Sequence, residues 1–376
     1  MTDRILTTHV GTLPRPAAFE AGEMPLADAV VDVVRHQAAL GIDVVDDGEF
    51  GKASWTGYAV ERLGGFEARP LEAGAAPLAR GAERQQFGEF YDEATRSGTL
   101  WYSTSAQVLT PGAPTEWVCT GPITYTGQSA LQRDIDNFRI ALATAHVATG
   151  FLPVAAPASL EPNRRNEYYP TDEAYVFAIA EAMKTEYHTI VEAGLTVQVD
   201  DAWLTALWDR IGIQIGLEAY RDYCRLRIDA LNYALAGLPL DKVRYHICWG
   251  SWHGPHVTDI PLAEIVDLVL RVNAGAYLFE AGNVRHEHEY HVWEEAHLPQ
   301  DRVLIPGVVS HATNVVEHPD LVAERITRFA QRVGRDRVIA GTDCGLGGRV
   351  HPQLAWAKLE ALVEGARRAS ARLWPG

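Results

Sequence analysis

The chain has 376 residues, 47% of them hydrophobic, with a formal net charge of −16 and four cysteines. That acidity excludes nucleic acid and an anionic membrane as main partners, because phosphate binding needs a basic footprint. No apolar run approaches the ~20 residues of a spanning helix. The N-terminal "MTDRILTTHVG" lacks the charged-then-apolar order of a signal peptide, so a cytoplasmic chain without a disulfide framework is expected.

Short apolar runs alternate with amphipathic stretches. "ILTTHVG" (5–11) leads to a helix near 26–40, and "IDVVDDGE" (42–49) follows. "GFLPVAAPAS" (150–159) precedes a helix over 171–193, and "LTVQVDD" (195–201) one near 217–237. "VRYHICWG" (243–250) precedes a helix near 261–273, and "AYLFEAG" (276–282) comes next. "VLIPGVVSH" (303–311) with a helix near 317–333, and "RVIAGTDCG" (337–345) with one near 352–373, complete the series. Eight strands, mostly followed by helices, predict an α/β fold, a (β/α)8 TIM barrel in one domain over residues 1–376. A ninth strand, "TEWVCTGPITY" (115–125), is one too many. It is expected to form a hairpin with "LWYSTSAQVL" (100–109), within an insertion over about 66–130.

The strand ends carry chemically capable residues: Gly11 and Thr12, Asp47 and Glu49, Asp200 and Asp201, His246 and Cys248, Glu280, Ser310 and His311, Asp343 and Cys344. In a parallel barrel these ends converge on one face, where barrel enzymes keep their active sites. In "HIC", residues two apart point the same way, so His246 and Cys248 both face the barrel mouth. Cys344 sits on the same rim and Glu280 ends a strand between them. Two thiolates, an imidazole and a carboxylate suit a tetrahedral Zn2+. His253 and His256 fall in the next loop, and "RHEHEYH" reads as a hydrogen-bonded helix start. A zinc held by two thiolates is a weak activator of water but keeps a further thiol deprotonated near neutral pH. Alkyl transfer to a thiol is therefore expected, with zinc-assisted hydrolysis as the generic competitor.

The segments "HVGTLPRP", "IDVVDDGEF", "TVQVDD", "HIC", "FEAG", "PGVVSH" and "GTDCGLGGR" resemble, in order, the catalytic barrel of the cobalamin-independent methionine synthases. The resemblance implies zinc ligands at His246, Cys248, Glu280 and Cys344, amino-group binding at Glu49 and Asp200, and a proton donor at His311. The resemblance to the full methionine synthases implies a chain about twice as long as this one. The chain's length, with "GEFGK", "RNEYYPTDEAY" and "CWGSWHGPH", is similar to the short branch of epoxyalkane:coenzyme M transferases. That branch implies opening of a small epoxide by the coenzyme M thiolate, with His311, Tyr168 or Tyr169 protonating the alkoxide. The sulfonate would need a cation, and Arg15, Arg164, Arg165, Arg285 and Arg349 are the candidates, beside Gly11 and Thr12 at the substrate. Methyl transfer to homocysteine, from a folate or corrinoid, is the alternative favoured by the two acids. A non-catalytic zinc-stabilised scaffold is the reading from another class. The expected partners are a small thiol and a small electrophile, and assembly into a homo-oligomer is left open.

Overall fold

The computed structural model describes residues 3–70, 81–100 and 115–375. Among the described residues ten strands are formed: β1 (Leu6–Thr7), β2 (Leu63–Pro70), β3 (Thr115–Tyr125), β4 (Phe151–Ala155), β5 (Arg164–Asn166), β6 (Thr196–Asp200), β7 (Val243–His246), β8 (Ala276–Phe279), β9 (Val303–Val309) and β10 (Ile339–Thr342). Seven make one parallel sheet in the order β1-β10-β9-β8-β7-β6-β4. Its two edges, β1 and β4, meet the same segment. Asp43 N and Val44 N both donate to Thr7 O at 3.1 Å. On the other side Val45 forms a parallel bridge with Gly150. The run 42–49 thus holds the remaining strand position of a (β/α)8 barrel.

That run makes only a bridge because its polar end turns early. Asp46 Oδ1 accepts from Gly48 N and Asp47 Oδ1 from Glu49 N, each at 2.9 Å. Such local side-chain bonds compete with a ladder. Strand alternation sorts the other side chains. Ala276 and Leu278 point inward to join Val10 and Ile305 in a small inner core. Tyr245, Val197, Val199 and Tyr277 belong to the larger core between sheet and helices. The long helices Leu26–Leu40, Asp172–Glu192, Leu217–Leu235, Pro319–Val333 and Pro352–Leu373 lie where the apolar periodicity puts them. Two of them approach closely at Gly365, where a Cβ would stand 2.3 Å from Val322 Cγ1. The stretch expected as a helix over 261–273 is shorter, a 3-10 turn at Leu262–Glu264 and a helical turn at Val266–Val269.

β3 does enter an antiparallel pair, but its partner is β2 and not the expected 100–109. β3 pairs antiparallel with β2 on one edge and parallel with β5 on the other. β5 faces Trp117–Cys119, and of the expected partner 100–109 only Leu100 is among the described residues. Two helices, Ala82–Gln86 and Gly88–Ser97, follow β2 in the chain. Among the described residues, no helix is long and apolar enough to cross a membrane.

Candidate metal centre and substrate cavity

Strand register brings the central residues together. β6 and β7 pair so that Asp200 lies opposite His246, and Asp200 Oδ1 meets His246 Nδ1 at 2.9 Å. The other ring nitrogen, Nε2, is buried and has no hydrogen-bond partner among the described residues. Ligand atoms of His246, Cys248 and Cys344 all lie within 4.8 Å of one another. The two sulfurs are 3.9 Å apart, and both thiols are free. Two zinc–sulfur bonds of about 2.3 Å at a tetrahedral angle would place sulfurs about 3.8 Å apart. An orphaned imidazole nitrogen, a carboxylate fixing the opposite nitrogen and two thiols at this spacing fit a zinc ion.

The electrostatics favour one shared thiolate. A hydrogen bond from Cys248 draws the Cys344 thiol well below its ordinary value against burial, and the Arg349 guanidinium adds to the effect. Cys248 moves well upward for the same reason, and burial reinforces it. Ser251 Oγ also contacts Cys344 Sγ at 3.0 Å. Burial opposes a charge on His246, but its bond to Asp200 outweighs that and raises it.

Glu280, expected as the fourth ligand, is not grouped with this trio at that spacing, though its charge acts on His246 and Cys248. Its oxygens accept from Trp249 N at 2.8 Å and Asn283 Nδ2 at 2.6 Å. It groups instead with His311 and Asp343, whose candidate ligand atoms lie within 4.8 Å of its own. Burial, with Asp343 and Cys344 adding negative field, pushes its carboxyl up to about 8. Asp343 is a structural acceptor for Ala281 N and Gly282 N, both at 2.8 Å.

A cavity of about 260 Å³ opens in front of the trio, with Glu49, Asp200 and Thr12 on its wall. Glu49 Oε1 accepts from the Thr12 hydroxyl at 2.8 Å and from Thr12 N at 3.1 Å. Both residues hold left-handed backbone, with φ of 59° for Glu49 and 36° for Thr12. Such strain in non-glycine residues concentrates at functional sites. Gly11 is required beside them, since at φ +117° a Cβ would stand 2.8 Å from Glu49 Oε1. Burial raises the Glu49 carboxyl, Lys52 counters it, and the nearby Asp200 charge raises it again.

The remaining expected residues divide sharply. Arg349 lines the cavity, and Arg15 lines a small side pocket next to it. Arg164 is buried with its guanidinium on the carbonyls of Leu160 and Thr56. Arg165 is paired with Glu116 and Glu167 on the three-stranded sheet. Arg285 is exposed and off the cavity wall. Tyr168 is half exposed, and the Tyr169 hydroxyl accepts from Ile123 N at 2.9 Å, so neither reaches the cavity. His311 is buried, groups with Glu280 and Asp343, and burial lowers it to about 4.

Sequence reasoning missed the aromatic wall of Trp55, Trp203 and Trp252, together with Arg210. The Arg210 guanidinium sits 4.7 Å from the Trp203 ring. Trp252 donates to the Tyr91 hydroxyl at 2.9 Å, and Tyr91 bonds Glu83, which ties the helices after β2 to the cavity. The loop histidines serve packing. His256 lies tilted against Trp252 at 4.3 Å and meets Asp259, while His286 stacks on Trp249 at 4.1 Å between Asp259 and Glu289.

The family model described as "Cobalamin-independent synthase, Catalytic domain" matches residues 9–150 and 160–368. A methionine synthase of Saccharolobus solfataricus is 23% identical, aligned over 96% of this chain and 93% of its own length. The 2-hydroxypropyl-CoM lyase of Xanthobacter autotrophicus is 25% identical over 98% and 96%. The fold matches that of a B12-independent methionine synthase from Shewanella sp. W3-18-1, solved with selenomethionine, at a TM-score of 0.72 and 17% identity, covering 99% of this chain and all of that one. Relatives of both names are spanned almost end to end, so length does not separate the two activities. The matched segments contain the trio, both acids and both cavity arginines, and the chain belongs to the cobalamin-independent synthase family, to its catalytic domain.

Proposed function

We propose that the protein is a zinc-dependent transferase that methylates the thiol of a small amino acid, homocysteine in the simplest case. The observation carrying this reading is the placement of Glu49 and Asp200 on the wall of the cavity that also exposes His246, Cys248 and Cys344. Two buried acids suit an ammonium group, and coenzyme M has none. Several relatives carrying the name methionine synthase support the same direction.

His246, Cys248 and Cys344 would hold the zinc. Bound there, zinc would keep an incoming thiol deprotonated and nucleophilic near neutral pH. The chain's own residues do the rest. Asp200 fixes the His246 ring through Nδ1, leaving Nε2 without another partner among the described residues. Glu49, locked by Thr12, anchors the ammonium and aims the sulfur. The tryptophans exclude water from the transfer path. In the overall reaction the thiolate sulfur gains a bond to the methyl carbon, and the bond from that carbon to its carrier breaks. The electron pair stays with the carrier.

Epoxide opening on coenzyme M is the second reading, favoured by Arg210 and Arg349 on the same wall, which could meet a sulfonate. The test incubates zinc-loaded protein with homocysteine plus methyltetrahydrofolate or methylcobalamin, and separately with coenzyme M plus epoxypropane. Methionine in the first set is the expected product. A hydroxypropyl thioether in the second set alone would transfer the assignment to the lyase reading. No thiol consumption in any arm would sink both.

A further inference from the structure

We infer that Gln198 and Arg244 are positioning residues, a two-rung brace across the barrel interior that holds residues 8–12 against the strands carrying Asp200 and His246 and so sets the spacing between two walls of the cavity. The brace goes beyond the transferase reading and rests on it only where homocysteine serves as the probe.

β6 and β7 pair so that Gln198 lies opposite Arg244, one layer below the Asp200–His246 pair. Residues two apart on a strand share a face, so all four point into the barrel. Barrel interiors are filled mainly by Val, Ile and Leu, as Val10, Leu278 and Ile305 do here. Gln198 and Arg244 are buried in that space, where an amide and a guanidinium are costly unless their hydrogen bonds are made.

Both side chains spend those bonds on one stretch across the barrel. Gln198 Nε2 donates to Val10 O and to Asp200 Oδ1, the second at 2.9 Å. Arg244 Nη2 donates to His9 O at 2.9 Å and Nη1 to the Thr8 hydroxyl at 3.0 Å. That hydroxyl donates in turn to Val44 O at 2.8 Å. The Arg244 guanidinium also lies 3.8 Å from the centroid of the Phe151 ring, on β4. In the sheet order β7 stands opposite β1, so these bonds span the interior. The arc they reach is the one that backbone ladders hold least. β1 is two residues long, and the run 42–49 joins β4 by the bridge at Val45.

The same arc carries a wall of the cavity. Val10 and Thr12 lie on it, and Thr12 holds Glu49. His9 ties the arc to that corner, since its Nδ1 accepts from Gly11 N at 3.1 Å. Asp200, His246 and Cys248 supply the wall on the side of β6 and β7. A ligand that touches both walls needs them at a fixed separation, whereas one that touches the metal alone does not.

The test compares Gln198→Met, Arg244→Met and Arg244→Lys with the wild type. Amide hydrogen exchange by mass spectrometry comes first. Both methionine variants should exchange the 8–13 segment at least about tenfold faster, with Arg244→Lys in between. Unchanged exchange there, or equally faster exchange throughout the chain, would overturn the brace. Calorimetry on zinc-loaded protein then compares homocysteine, which would span the metal and Glu49, with ethanethiol, which reaches the metal alone. Arg244→Met should weaken homocysteine about tenfold and leave ethanethiol within about twofold, and Arg244→Lys should recover part of the loss. Equal weakening of both thiols would overturn the positioning role. Gln198→Met should also weaken zinc binding about tenfold, because Asp200 loses a donor, and wild-type zinc affinity would overturn that rung. Local exchange raised in the variants, beside a wild type that binds homocysteine no better than ethanethiol, would leave the brace standing and remove the transferase reading.

Discussion

Replacing Asp200 probes the link between substrate wall and metal ligand. Asp200 Oδ1 is shared by His246 Nδ1 and Gln198 Nε2, each at 2.9 Å, and both partners are buried. A hydrogen bond to a charged group is worth about 1.5–3 kcal/mol and a neutral one about 0.5–1.5. Asp200→Asn retains an acceptor but loses the charge, a difference of about 1–1.5 kcal/mol, or roughly tenfold in zinc affinity. Asp200→Ala removes the acceptor and frees the ring, for which a loss towards 100-fold is expected. The assay is competition with a chromophoric chelator, giving the zinc Kd of each form. Urea unfolding of the metal-free proteins would control for general damage, since the β6–β7 ladder uses backbone groups that neither substitution touches. Wild-type zinc affinity in Asp200→Ala would refute the reasoning, because the imidazole would then need no orienting carboxylate.

Gly11→Ala should destabilise the protein by about 1–3 kcal/mol through its left-handed backbone, and it should also displace Glu49, whose Oε1 would lie 2.8 Å from the new Cβ. Urea midpoints and homocysteine affinity would both fall, and unchanged values would count against the strained-corner reading. Arg62→Met removes a buried cation from Glu186 at 2.7 Å and Asp134 at 2.5 Å. Glu186 would be left without its cation, while Asp134 keeps Arg133 at 2.8 Å, and the loss should be about 3–5 kcal/mol by denaturant unfolding; a loss below ~1 kcal/mol would contradict it. His286 supplies a pH prediction. Burial opposes its charge, but hydrogen bonds to Asp259 and Glu289 raise it from 6.5 to about 10. The folded state then holds a proton that the unfolded state releases, so this contribution is complete below pH 6.5 and lost as pH rises towards about 10. Between those values wild-type stability should fall more steeply than that of His286→Gln, and parallel slopes would reject the assignment.

The barrel was legible because its strands are apolar runs ending in polar residues at regular intervals. Seven of the eight appear as sheet strands. Only 42–49 deviates, reduced to a bridge at Val45 by the aspartate turns that follow it. The partner of Thr115–Tyr125 was not legible. β2 reads "LGGFEARP", with two glycines and a proline that strand propensity disfavours, and its register shifts between Gly64 and Phe66. Proximity in sequence pointed to 100–109 instead. That His246, Cys248 and Cys344 lie together could be anticipated from alternation and rim position, whereas Glu280, expected with them, groups with His311 and Asp343. The Asp200–His246 bond could not, because it depends on which residues of neighbouring strands fall opposite each other. Trp55, Trp203 and Trp252 gave no signal, since a tryptophan in a loop looks the same whether it covers a core or walls a cavity. The arginines were separated only by what each guanidinium touches, carbonyls for Arg164 and acids for Arg165, with unused donors for Arg15 and Arg349.

The central claim is that His246, Cys248 and Cys344 hold zinc with room for a substrate sulfur. X-ray absorption at the zinc edge tests it without any need to know the methyl donor. The spectra would be recorded on zinc-loaded protein before and after addition of homocysteine. The account predicts two sulfur neighbours beforehand and three afterwards, with the imidazole retained. A sulfur count unchanged by homocysteine would describe a closed, structural zinc and would contradict the account.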